Sequence, residues 1–173
     1  MLLSIIIPTY NAEKYIYRCV ESVIKQNCED CEILVVDDGS TDRTLNIIHE
    51  IIKNNKKISL KYLKEENKGV SAARNKGIEN AIGDYIFFLD ADDRLVDNAI
   101  EQIKFLIKTK CFDLYIFSYF LLKNETRLNS DLCSIDDFSI YNRDSLLLFA
   151  DLIVKTKGFF WDIHGEKSIK EKL

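Results

Sequence analysis

Three carboxylates fall within four residues at Asp90-Ala91-Asp92-Asp93, directly after the apolar run Tyr85–Leu89. Packed this closely they repel one another unless a cation or a hydrogen-bond donor compensates. Hard carboxylate oxygens suit Mg²⁺ or Mn²⁺, which share their coordination with water and substrate phosphates. An acidic turn that only caps the following helix explains the same residues equally well. A second acidic cluster, Asp37-Asp38-Gly39-Ser40-Thr41-Asp42, follows the run Ile33–Val36. Helix capping accounts for Thr41 and Asp42 but not for Asp37 and Asp38, where a carboxylate can accept hydrogen bonds from a base or a ribose. Basic charge gathers elsewhere: Lys53, Lys56, Lys57, Lys61, Lys64, Lys68, Arg74 and Lys76 are offset only by Glu65 and Glu66. Such a run is commonly a solvated face, yet Lys68 and Arg74 stand just past a strand-like segment, where a phosphate can be held.

The elements that must position these groups are legible as an alternation. Short β-branched or aromatic runs, Leu3–Ile7, Ile33–Val36, Ile58–Leu63 and Tyr85–Leu89, have the length of strands. Between them, Ala12–Gln26, Asp42–Lys53 and Val70–Ala81 predict helices. In the first, Ala12, Tyr15, Ile16, Cys19, Val23 and Ile24 share one face. Pro8 is expected to end the first strand, and Gly83 follows the third helix where a stop is expected. Further on, Asp97–Thr109 predicts a helix, Asp113–Leu122 a long strand, Lys123–Tyr141 an irregular polar stretch and Arg143–Lys155 a helix. Alternating strand and helix predicts an α/β fold, a mainly parallel sheet with helices on both faces. Ligands of such sheets bind beyond the carboxyl ends of the strands, so the segments to watch are Pro8–Asn11, Asp37–Asp42, Glu65–Arg74 and Asp90–Asp93.

The chain has 173 residues, 47% hydrophobic and 30% charged, with a formal net charge of −4. That composition is globular, not disordered, and the length suits one domain over 1–173. The acidic balance argues against a nucleic-acid partner. The longest apolar run, Leu114–Leu122, is interrupted by Ser118 and falls short of the ~18–20 residues of a membrane span. The segment from Met1 to Pro8 reads as a buried strand, not a signal peptide. Cys19, Cys28, Cys31, Cys111 and Cys133 form an odd set, which points to reduced cytosolic thiols. Cys28 and Cys31 are spaced as Cys-x-x-Cys, but with no second pair for zinc and no following helix they read as structural. His49 and His164 make no zinc pattern, and neither GxxxxGK[ST] nor GxGxxG occurs.

In order along the chain stand Ser4-Ile5-Ile6-Ile7-Pro8-Thr9-Tyr10-Asn11, Glu32-Ile33-Leu34-Val35-Val36-Asp37-Asp38-Gly39-Ser40-Thr41-Asp42, Asn67-Lys68-Gly69-Val70-Ser71-Ala72-Ala73-Arg74-Asn75-Lys76-Gly77 and Gly83-Asp84-Tyr85-Ile86-Phe87-Phe88-Leu89-Asp90-Ala91-Asp92-Asp93. Together they resemble the inverting nucleotide-sugar glycosyltransferases of family 2, with the GT-A fold. The resemblance implies a donor half over residues 1–95 and a partial acceptor half over 96–173. It implies that Pro8, Thr9, Tyr10 and Asn11 line the nucleotide pocket and that Asp38 contacts the base, usually uracil. Arg74 and Lys68 would lie near the base or diphosphate. Asp90-Ala91-Asp92 would be the DxD element, with Asp90 at the ribose, Asp92 on Mn²⁺ or Mg²⁺, and Asp93 in support. A sugar would pass from a UDP-sugar to a glycan or lipid-linked acceptor, with inversion, in bacterial surface glycan synthesis. The setting would be cytoplasmic, peripheral to the inner face of the membrane.

The general base of such a reaction is a carboxylate beyond the DxD element. Asp136, Asp137, Asp151, Asp162 and Glu166 stand in no matching motif, so no base is assigned. A nucleotide-sugar-binding remnant without transferase activity is the alternative, and an incomplete acceptor half would expose apolar surface and favour self-association. A phosphotransfer domain is disfavoured. Its acidic pair or nucleophile belongs after the first strand, where Pro8-Thr9-Tyr10-Asn11 stands.

Overall fold

The computed structural model describes residues 3–26, 28–56 and 58–109, and the backbone alone of 121–123 and 126–128. Strands β1 (Leu3–Thr9) and β2 (Cys31–Asp37) are built almost wholly of β-branched and apolar residues, and every residue of both is buried. That is the pattern of central parallel strands covered on two faces. The order along the chain is β1, α1 (Ile16–Ile24), β2, α2 (Thr44–Asn54), β3 (Ser59–Lys64), α3 (Val70–Asn80), β4 (Tyr85–Phe88) and α4 (Ala99–Thr109). The sheet order is β3-β2-β1-β4, all parallel.

This order places the helices. From β1 the chain steps outward through β2 to β3, and α1 and α2 touch each other. It then crosses back to β4 through α3, which packs on β1 and β2. Right-handed crossovers in opposite directions put α3 on the other face. Alternation along the strands agrees: Ile6, Leu34 and Val36 form one cluster with Ala73 of α3, while Ile5, Ile7, Ile33 and Val35 point to the α1–α2 side. α3 lies so close to β1 that a methyl group on Gly77 would come within 2.4 Å of Ile6 Cγ2.

Several boundaries differ from the sequence expectation. β1 runs through Pro8 to Thr9 instead of ending there. The Leu89 N–H donates to the Ile6 carbonyl, so even-numbered residues of β1 turn their backbone groups toward β4. β4 is paired only as far as Phe88 opposite Ile6, and the missing N–H of Pro8 therefore costs no ladder bond. α1 begins at Ile16, not Ala12, and α2 at Thr44, not Asp42. The cause is a mutual exchange between the two loops. Ala12 N–H donates to Thr44 Oγ1 at 2.9 Å, Glu13 N–H to Asp42 Oδ2 at 3.0 Å and Arg43 N–H to Glu13 Oε2 at 3.1 Å. Tyr15, expected on the buried face of α1, is 40% exposed, and Val20 is buried in its place.

Backbone proximity divides the chain into two units, 1–105 and 106–173. The four-stranded sheet belongs to the first. Within the second, β5 (Leu121–Lys123) and β6 (Thr126–Leu128) pair antiparallel, so part of the stretch expected to be irregular is a strand. The expected strand Asp113–Leu122 (apart from its last two residues), the helix Arg143–Lys155, and Asp136, Asp137, Asp151, Asp162, His164 and Glu166 lie outside the described residues. Cys28, in the turn before β2, and Cys31, the first residue of β2, are free thiols, and the Cys31 N–H donates to the Cys28 carbonyl at 3.1 Å. Among the described residues no helix is long and apolar enough to cross a membrane.

Candidate functional site

The four segments that follow the strands converge at one edge of the sheet. Asp38 N–H donates to the Thr9 carbonyl at 2.8 Å, joining the ends of β1 and β2. Asn11 N–H donates to Ser40 Oγ at 2.9 Å, and Thr41 N–H donates to Asn11 Oδ1 at 2.8 Å. Asp42, which takes N–H groups from Glu13 and Thr44, stays below the ordinary carboxylate range: desolvation pushes it up, but the Thr44 and Glu13 donors outweigh this.

The paired aspartates after β2 are largely spent on the protein. Asp37 Oδ1 accepts the Ser40 N–H at 2.9 Å, and Oδ2 accepts the Tyr62 hydroxyl at 2.8 Å. Burial and that bond push the Tyr62 phenol up to about 12. Asp38 receives the Lys68 N–H on Oδ1 at 2.7 Å and the Gly69 N–H on Oδ2 at 2.8 Å. Each oxygen keeps one lone pair for a ligand. Gly69 has φ +91°, open to glycine at no steric cost, and this aims its N–H at Asp38. Lys68 meets the site through its backbone; its ammonium is 3.0 Å from Glu65 Oε1.

A cleft of about 250 Å³ opens over this edge, lined by Pro8, Thr9, Tyr10, Asp38, Asn67, Gly69, Val70 and Ala73. It brings four expected residues together: Pro8, Thr9, Tyr10 and Asp38. Asn11 stands at its border, φ 47°, holding the 40–41 loop. Asn67, Gly69, Val70 and Ala73 fall inside the segment Glu65–Arg74 that the sequence marks, but no role is assigned to them there. The signal was there in Asn67, φ 40°, and Gly69, residue types that accept left-handed backbone.

Beyond Ala73, Arg74 Nη2 donates to Asp90 Oδ1 at 2.6 Å, and its guanidinium carbon lies 5.9 Å from the centre of the Phe88 ring. Asp90 and Asp92 are exposed, Ala91 is buried, and Asp93 N–H closes a turn on the Asp90 carbonyl at 2.9 Å. Desolvation first, then Asp92 and Asp90, push Asp93 above the ordinary carboxylate range. Burial, then Asp93, Asp92 and Asp90, likewise push the Cys19 thiol beneath the turn up to about 12. The turn therefore carries negative charge that Arg18 and Arg74 do not fully offset. This fits a divalent cation that takes one or two carboxylates and completes its shell with water and phosphate. Among the described residues no group of three or more His, Cys, Asp or Glu side chains could hold a metal alone.

A parallel sheet with a cleft at its carboxyl edge, and an arginine and an acidic turn beside it, make this an α/β protein with a candidate site beyond the ends of its strands. Residues 4–142 match the pattern of glycosyl transferase family 2, and the chain belongs to that family. It is 43% identical over 108 residues to an uncharacterized glycosyltransferase of Haemophilus influenzae, covering 62% of this chain and 43% of that protein. It is 44% identical over 100 residues to chondroitin synthase of Escherichia coli, covering 58% and 14%. Among solved structures, S. aureus TarS in complex with UDP-GlcNAc shares 37% identity with a TM-score of 0.56, covering 62% of this chain and 31% of that one. A mannosyltransferase from Pyrobaculum calidifontis in complex with GDP-Man and Mn²⁺ shares 25% identity with a TM-score of 0.57, covering 60% and 32%. The fold is thus GT-A, and the chain spans less than half the length of each of these relatives.

Proposed function

We propose that this chain binds the donor of a metal-dependent sugar transfer, from a UDP-sugar to a hydroxyl of a glycan or lipid-linked acceptor with inversion, in bacterial surface glycan synthesis. The observation that carries the reading is the cleft from Pro8 to Ala73, closed at its base by Asp38 and continued by the Arg74–Asp90 pair. Its size and its mostly apolar lining with Asp38 as a polar anchor suit a nucleoside, and Tyr10, 49% exposed, offers a ring at the mouth. The remaining lone pairs of Asp38 accept the N–H of a base, which favours uracil over a base that presents only acceptors there. Arg74 turns N–H groups toward the diphosphate while Asp90 meets the ribose. The complexes of TarS with UDP-GlcNAc and of the mannosyltransferase with GDP-Man support a nucleotide-sugar donor.

Asp92, with Asp93 beside it, would hold Mn²⁺ or Mg²⁺ in a DxD element, and the Mn²⁺ in the mannosyltransferase complex supports this. The ion, when bound, acts as a Lewis acid that offsets charge developing on the leaving diphosphate. Attack by the acceptor hydroxyl on the far face of the anomeric carbon requires a carboxylate base, and none is assigned. Residues 1–95 form the donor half and 96–173 part of the acceptor half of one domain. Free Cys19, Cys28 and Cys31 support a reducing, cytoplasmic setting, peripheral to the membrane where a lipid-linked acceptor is met. The test is turnover: the full chain with a panel of UDP- and GDP-sugars, Mn²⁺ and candidate acceptors. Nucleoside diphosphate release that needs Mn²⁺ and Asp92 supports the reading; release indifferent to both contradicts it.

A further inference from the structure

The acidic turn and the run behind it, residues 89–98, belong to no helix or strand, and their carboxylates repel. The hydrogen bonds that hold them come largely from a single polar seam along α1 and the residues that continue it. Arg18 Nη2 lies 3.4 Å from the Asp92 carbonyl, and its guanidinium sits 4.9 Å from the centre of the Tyr15 ring. Cys19 Sγ lies 3.5 Å from the Asp90 carbonyl. Ser22 Oγ accepts the Leu95 N–H at 3.0 Å and donates to the Cys19 carbonyl at 2.7 Å. Gln26 Nε2 donates to the Val96 carbonyl at 3.1 Å, and its Oε1 accepts the Ile100 N–H at 3.0 Å. Gln26 thus caps α4 from the turn that follows α1, satisfying one of its orphan N–H groups. The same Nε2 donates to the Ser22 carbonyl at 2.8 Å, tying the two residues together.

We propose that Ser22 and Gln26 are positioning residues for the cation and diphosphate: with Arg18 and Cys19 they fix the backbone of residues 90–100 so that Asp92 is held facing the donor against the repulsion of its neighbours. The proposal rests on the donor reading above. Ser22 holds the turn's exit at Leu95 and Gln26 holds the next anchor at Val96 and Ile100. Neither side chain lines the cleft, so their effect passes through Asp92. Removing partners that orient a metal-binding carboxylate typically costs ~10–100-fold in metal affinity.

The experiment titrates Mn²⁺ in the presence of UDP, following free Mn²⁺ by electron paramagnetic resonance, with the full chain and its variants. Ser22→Ala and Gln26→Ala are expected to weaken Mn²⁺ binding by roughly tenfold while UDP binding without metal is unchanged. Ser22→Thr, which keeps the hydroxyl, is expected to retain wild-type binding. Amide exchange at Leu95 and Ile100 should accelerate in the alanine variants and not in Ser22→Thr. Should Ser22→Ala fail to fold, Gln26→Ala carries the same comparison. Wild-type Mn²⁺ affinity in both alanine variants, alongside loss in Asp92→Ala, overturns the seam and leaves the donor reading standing. A wild-type chain with no UDP-dependent Mn²⁺ binding overturns the donor reading and this proposal with it.

Discussion

Asp38 and Asp92 are both aspartates past the end of a parallel strand, and they do opposite things. Asp38 is buried and holds the N–H groups of Lys68 and Gly69, one on each oxygen. Asp38→Ala leaves two donors unsatisfied, each at a cost of about 1–3 kcal/mol, and Asp38→Asn, which keeps one acceptor, loses less; denaturant unfolding checks both. Asp92 is exposed and raises its neighbour Asp93. Asp92→Ala in the absence of metal is therefore expected to leave the unfolding midpoint unchanged or higher, while abolishing any Mn²⁺-dependent gain. Arg74→Ala removes the 2.6 Å pair with Asp90. It is expected to weaken UDP binding by roughly tenfold, the scale of one charge-assisted contact. A merely structural arginine would instead shift the midpoint and leave affinity alone. The sequence made the two acidic clusters visible but not this division of labour, because a carboxylate's partners are set by loops arriving from Glu65 to Gly69, thirty residues away.

At the scale of elements, the alternation of runs located the four strands of the sheet and the helices α1 to α4, most plainly the central strands β1 and β2, which are buried throughout and so are mostly apolar. Element starts were less legible: Ala12 and Asp42 read as helical, but their loops satisfy each other's N–H groups across the α1 and α2 entrances. Gly77 is a second case. It reads as an indifferent helix residue, yet an alanine there would sit 2.4 Å from Ile6 Cγ2, in the fully buried core. The gain of about 1 kcal/mol in helix propensity is outweighed by overpacking of roughly 1–3 kcal/mol, so Gly77→Ala should lower the midpoint. Glu32 was not legible at all. It is buried in β2, taking Ser4 Oγ at 2.6 Å, the Ile82 N–H at 2.7 Å and Lys61 Nζ at 3.1 Å, and so pins the α3–β4 connection. Desolvation raises its carboxyl, but these three donors together hold it below the ordinary 4.5. Its contribution is complete above the unfolded value and is lost as pH falls through the depressed folded one. Melting temperature should therefore fall with acidification in the wild type and less steeply in Glu32→Gln, which starts lower at neutral pH.

For the whole molecule, the cleft, the arginine and the acidic turn come from four separate strand ends, and only the sheet order β3-β2-β1-β4 brings them to one edge. The family relation fixes the fold. The donor and the metal are the claims that remain to be measured on this chain. Ions that bind the folded state raise its stability by mass action, so UDP with Mn²⁺ should raise the melting temperature more than either alone. Light scattering at rising concentration tests the expected self-association, with a constant monomer mass counting against it. The most direct measurement of the central claim is calorimetric titration of UDP into the full chain with and without Mn²⁺, for wild type and Asp92→Ala. The account predicts binding that strengthens with Mn²⁺ in the wild type and shows no such strengthening in Asp92→Ala. Equal UDP affinity with and without Mn²⁺ in both, or a Mn²⁺ effect that survives in Asp92→Ala, would contradict it.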